Sequence, residues 1–235
     1  MTVSRSRLAL ALYGIAVGFL GWGTLALLWH RAPVTIPWFE IVLFALLSIA
    51  IKGLGFQVAP DVTHSLVGIA DLAVLFARGP LEAGLVAAMS GGVCQVICAR
   101  ARRPLQWTVL PAHVLFGSGL NALMAVVTGW VYGQLGGRVP LMALDWRQSL
   151  AVLASCVMWF TLDHLGWAVA EWLVSGTAAA VRFVRDMLPY SLRVELMPLP
   201  FAATAASAYS SRDPFMISLV VLALLIASYI LRGLM

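Results

Sequence analysis

Four side chains stand where an apolar sequence has least use for them. Asp71, His113, Asp163 and His164 each lie inside a long run of Leu, Val, Ala and Phe, away from the polar breaks in the chain. An ionisable group in such a run is costly to hold in a bilayer, so it bonds a neighbouring helix or lines a pocket. Asp163 and His164 are adjacent, and a carboxylate beside an imidazole can bind a polar ligand or move a proton. Asn121 and Gln95 add uncharged hydrogen-bonding groups in neighbouring runs. Trp159 and Trp167 flank Asp163 at i−4 and i+4 on one helix face, where two indoles suit a planar or cationic ligand. We therefore expect a ligand-binding pocket drawn from Asp163, His164, His113, Asn121, Asp71, Trp159 and Trp167. The alternative use of the same residues is interhelical hydrogen bonding that holds a bundle together.

Other chemistry is thin. Zinc on His113, His164 and Asp163, or a haem between two histidines, is conceivable from the residue types. No ligand spacing backs either, so no metal ligand and no cofactor is assigned. Cys94, Cys98 and Cys156 fall in apolar runs and read as small packing residues rather than a disulfide framework. There is no G-x-x-x-x-G-K-[ST], H-E-x-x-H or G-x-S-x-G pattern, so no enzyme is expected. Gly91-Gly92 and Gly117-Ser118-Gly119 lie inside helical runs and should let helices approach closely. Glu40, Glu82, Glu171, Arg193 and Glu195 fall near expected helix ends, within reach of headgroups or water.

The elements that must position these groups follow from composition and spacing. Of 235 residues, 62% are hydrophobic and 11% charged, and the mean hydropathy is +0.94. A soluble domain has roughly 45–50% apolar and about 25% charged residues, so an ordinary soluble fold is excluded. We read one all-α integral-membrane domain over residues 1–235, a polytopic bundle of about eight spans. The segments are Leu8–Trp29, Trp38–Ile51, Ser65–Ala77, Leu81–Ala99, Trp107–Leu135, Ser149–Val174, Ser191–Tyr209 and Phe215–Leu231. Residues 53–61, with Gly53, Gly55, Pro60 and Asp61, read as a loop. Pro111 should start or kink the fifth segment, and Pro198 and Pro200 interrupt the seventh. Residues 178–190 alternate Arg182, Arg185 and Asp186 with apolar residues, as a helix at a membrane surface would. Ser65–Ala77 is short for a ~30 Å hydrocarbon core.

Orientation follows from the basic residues. With both termini inside, ten of the 15 Lys and Arg fall on the cytoplasmic side, among them Arg5, Arg7, Lys52, Arg102, Arg103 and Arg232. Arg31, Arg78, Arg138, Arg147 and Arg212 fall outside. That excess favours cytoplasmic termini. The net charge of +5 is thus a matter of topology, and no basic motif points to nucleic acid. The bilayer is the expected partner.

The order of segments also resembles a known family. Ser65–Pro80, SLVGIADLAVLFARGP, is followed by a Gly/Ala-rich run, Arg102-Arg103-Pro104, and a run ending Val131-Tyr132-Gly133. Then come Trp159-Phe160-Thr161-Leu162-Asp163, Met187-Leu188-Pro189-Tyr190 and Ser228-Tyr229-Ile230-Leu231-Arg232. Over about residues 35–235 this resembles the multi-helix membrane sensor (MASE-type) region that precedes cyclic-di-GMP synthase, HD-type phosphohydrolase or histidine kinase domains in bacteria. The resemblance implies the bacterial inner membrane, a small-molecule or lipid ligand, and a signal passed through the last helix to a cytoplasmic output domain or partner protein, with homodimerisation open. That family often has Asn where this chain has Asp163, and often an Asn near the position of His113, so the chain departs from the family pattern at these two places. We expect the output domain to be a separate protein or to lie beyond Met235. Two other functions remain open: the substrate-binding membrane subunit of a small-molecule uptake system, and an accessory subunit of a larger membrane complex.

Overall fold

The computed structural model describes residues 2–31, 36–59, 62–101, 110–212 and 214–234. Pro60, Asp61, Arg102, Arg103, Pro104 and Trp107 lie outside the described residues. The described chain is helical apart from one short hairpin. Its helices are α1 (Thr2–Arg31), α2 (Trp38–Gly53), α3 (Val67–Arg78), α4 (Pro80–Ala101), α5 (Leu110–Gln134), α6 (Trp146–Ser175), α7 (Thr177–Ser191), α8 (Phe201–Ser210) and α9 (Pro214–Leu234). A π-helical segment, Leu192–Leu196, follows α7. Four helices are long and apolar enough to cross a bilayer, over Leu8–Arg31, Pro80–Ile97, Leu110–Gln134 and Trp146–Ser175.

Small residues set the packing of the long helices. On α1 and α5 the backbones touch, and a Cβ on Gly21 would collide with the Gly119 carbonyl, as one on Gly119 would with Gly18. A Cβ on Gly91 of α4 would lie 2.8 Å from the Gly117 carbonyl of α5. The glycine clusters thus do what their sequence predicts, letting dispersion contacts form between backbones. Polar bonds add to this seam: Trp22 Nε1 donates to Ser118 Oγ at 3.1 Å, and the Tyr13 hydroxyl donates to the Gly166 carbonyl at 3.2 Å.

One short helix, α3, is mostly buried. Eight of the twelve residues of α3 are buried, Asp71 among them. Helix α8 packs on α3, and its Ala202, Ala203 and Ala206 are buried. The seventh apolar segment, Ser191–Tyr209, does not form a single α-helix. It is instead the π segment, a turn at residues 197–200, and the ten residues of α8. The cause is local: Pro198 and Pro200 carry no N–H and crowd the preceding turn, so α-helical bonding fails there. The chain widens to an i→i+5 bond, Met197 N–H to the Leu192 carbonyl at 3.2 Å.

The helix ends sort into two groups. At one, Arg78 Nη2 of α3 lies 2.8 Å from Glu40 Oε2 of α2, and the Tyr209 hydroxyl of α8 donates to the same carboxylate. Leu141 N–H donates to the Phe76 carbonyl at 2.9 Å, which brings loop 135–145 to this end. At the other, Arg232 Nη1 of α9 donates to the Gly53 carbonyl at 3.5 Å. Helices α3 and α8 therefore run opposite to α2. The expected loop after Gly53 contains a strand at Phe56–Ala59. Phe56–Ala59 and Val62–His64 pair as antiparallel strands β1 and β2, with Phe56 opposite His64 and Gln57 opposite Thr63. Phe56, Val58, Val62 and Thr63 are good strand formers, and two runs this short carry no periodic signature of their own.

Candidate functional site

Asp163 and His164 lie well down α6, about 27 Å from Trp146 at ~1.5 Å per residue. Helix α6 ends at Gly176, whose φ of 84° suits glycine and few other residues. The chain reverses there, and α7 returns against α6. It delivers the π segment, and with it Glu195, to the level of His164. The His164 Nε2 to Glu195 Oε2 separation is 3.8 Å. One ligand atom each from Asp163, His164 and Glu195 falls within 4.8 Å of the others.

The imidazole is held from both sides. Its Nδ1 lies 2.9 Å from the Phe160 carbonyl, one turn back. A carbonyl only accepts, so Nδ1 carries the hydrogen in this bond, and Nε2 is the nitrogen turned to Glu195. The Phe160 ring lies against the imidazole, centroids 4.1 Å apart. All three ligand-bearing residues are partly buried. Tyr190 sits at the same junction: partial burial, then the nearby Glu195 charge, hold its hydroxyl above the usual range. At the start of the π segment Ser191 is fully buried, and its Oγ has no hydrogen-bond partner among the described residues. The junction can hold a cation or a polar ligand, or pass a proton between carboxylates and imidazole.

The other expected pocket residues go elsewhere. Asp71 is fully buried in α3 and accepts from Ser48 Oγ of α2 at 2.9 Å, while its Oδ2 has no partner among the described residues. His113 is partly buried near the start of the described α5 and is not one of the three converging residues. Pro111 sits in that first turn, where its missing N–H is tolerated. Asn121 Nδ2 donates to the Gly117 carbonyl of its own helix at 2.6 Å and abuts Gly91, which marks it as part of the α4–α5 seam. The two indoles part company. Trp159 is buried against Gly68 of α3. Trp167 is 40% exposed and meets Phe116 of α5 edge to face at 5.2 Å. Glu195 is the residue that sequence spacing did not join to the site, since it approaches only through the α6–α7 reversal.

A second polar cluster closes the opposite end. Gln148, in the first turn of α6, accepts from Arg138 N–H and the Tyr132 hydroxyl, each at 3.1 Å, and donates to the Gly136 carbonyl at 3.0 Å. Asp145 caps α6 by accepting from Gln148 N–H at 2.8 Å. Every polar atom of the Gln148 amide is used to fold a loop, so this cluster is architectural. Compared with known protein families, curated proteins and solved structures, the chain matches none.

Proposed function

We propose that the chain is an integral-membrane sensor module that binds a ligand at the α6–π junction and relays the change through α8 to α9. One observation carries this reading: Asp163 and His164 belong to a continuous helix, whereas Glu195 belongs to the break that leads into α8 and α9. A ligand that bridges the two binds one packing of the break better than another, and so shifts their populations. A π-helical turn is strained relative to an α-helix and is common at functional sites.

The sorting of helix ends supports eight crossings, with α3 as a short buried span and the π segment, turn and α8 together as one broken span. Both termini then face the cytoplasm of a bacterial inner membrane, and the junction lies toward that face. The likeness to MASE-type sensor regions fits the same picture. The test uses a chain free of native cysteines, with Gly53→Cys and Arg232→Cys introduced at the α2–α9 contact. A short bis-maleimide should link them in membranes at a rate that changes several-fold with His164→Ala. An unchanged rate contradicts the relay.

A second reading, the substrate-binding subunit of an uptake system, is favoured by the short buried helix α3 and by its Asp71, whose Oδ2 has no hydrogen-bond partner among the described residues. Broken helices near polar groups suit transport. Loss of uptake on Asp71→Asn, with His164→Ala silent, selects it.

A further inference from the structure

We infer that Asp163, His164 and Glu195 form a binding site for one first-row divalent transition-metal ion. The inference rests on the α6–π junction being the ligand site, and does not depend on where the signal goes.

The ligand set is one imidazole nitrogen and two carboxylate oxygens. All lie within 4.8 Å of one another, with His164 Nε2 3.8 Å from Glu195 Oε2. Around an ion with bonds of about 2.1 Å, tetrahedral ligands stand about 3.4 Å apart. Each ligand pair therefore has to close by about 1.4 Å or less to surround an ion. The hydrogen bond from Nδ1 to the Phe160 carbonyl is the outer-shell contact that metal-ligating histidines use. It fixes the tautomer and aims the Nε2 lone pair at the ion.

The ligand types narrow the ion. Imidazole with carboxylates suits zinc, manganese, iron(II) or cobalt(II). The nitrogen ligand disfavours magnesium and calcium, and the lack of a thiolate in the group disfavours copper(I). Three protein ligands leave a position open for water or an exchangeable group, as in sites that sense or act rather than staple a fold. The π segment is what brings Glu195 there. In an α-helix a one-residue change of register rotates a side chain by about 100°.

The test takes the full chain, freed of any polyhistidine tag, stripped with chelator in detergent, and dialysed against Co2+, Zn2+ or Mg2+. Elemental analysis should find one Zn2+ or Co2+ per chain and no stoichiometric Mg2+. Bound Co2+ should show the visible bands of a four- or five-coordinate site. His164→Ala and Glu195→Gln should each weaken binding at least tenfold, and the near-isosteric Asp163→Asn guards against misfolding as the cause. His113→Ala should leave binding unchanged. No stoichiometric ion, or equal binding by the Glu195→Gln chain, overturns the metal site. If no ion binds but His164→Ala still alters the 53–232 cross-link, the metal site falls and the sensor reading stands. If the ion binds and the cross-link ignores it, the metal site stands and the relay fails.

Discussion

At the scale of single residues, the polar groups divide by how fully their bonding is used. The Gln148 amide has a partner for its carbonyl and its amino group, and truncating it strands groups from two segments. Gln148→Ala should lower stability by about 1–3 kcal/mol, the usual cost of leaving buried polar atoms unpaired. Tyr132→Phe should cost less, about 0.5–1.5 kcal/mol, because one shared proton is lost and Gln148 keeps the Arg138 N–H. Thermal unfolding in detergent distinguishes the two; equal losses would mean that the loop is not held as described. His164, by contrast, has one nitrogen fixed by Phe160 and the other turned to a carboxylate from another element. Its loss should alter the relay more than stability.

At the scale of elements, the sequence made some features plain and hid others for a physical reason. Gly91, Gly117 and Gly119 announced close helix contacts, because a small residue in an apolar run has few other uses, and the α1–α5 and α4–α5 seams sit on them. Gly119→Leu drives a side chain into the backbone of α1 and should destabilise by about 1–3 kcal/mol or more. A wild-type melting temperature would contradict the seam. Pro198 and Pro200 announced a break, but not its form. Whether a chain passes such a break by a kink, a π turn or a loop depends on what packs beside it, here α3 and α6. The contact of His164 with Glu195 was hidden for the same reason: the two are far apart in sequence, and only the reversal at Gly176 joins them. The split between Trp159 and Trp167 shows the limit of the i, i+4, i+8 rule, since a helix surrounded by different neighbours presents each turn to a different one. Deleting Leu192 should restore α-helical register and swing Glu195 away from His164. The relay and ion binding should then be lost together, while α1, α4, α5 and α6 stay folded by limited proteolysis. Retention of either property would show that the π segment is incidental.

At the scale of the whole molecule, the account requires both termini on one side and loop 135–145 on the other. Ala143→Cys, at an exposed position in that loop, should react with an impermeant maleimide from outside intact cells. Thr177→Cys, exposed just after the α6 reversal, should react only once the cells are opened. The opposite pattern would invert the topology and place the junction on the outer face. Chain composition made the helical membrane class evident, because 62% apolar residues cannot be hidden in one small core. The burial of α3 was not evident, because a short buried helix and a loop-bounded surface helix have similar composition.

The central claim is that the α6–π junction and the α2–α9 contact are two ends of one switch. It is tested most directly by pulsed electron paramagnetic resonance between spin labels at positions 53 and 232, on a chain without native cysteines, in lipid nanodiscs. Comparing Glu195 with Glu195→Gln, the account predicts two distance populations whose ratio shifts between the chains. A single distance, identical in both, would contradict it.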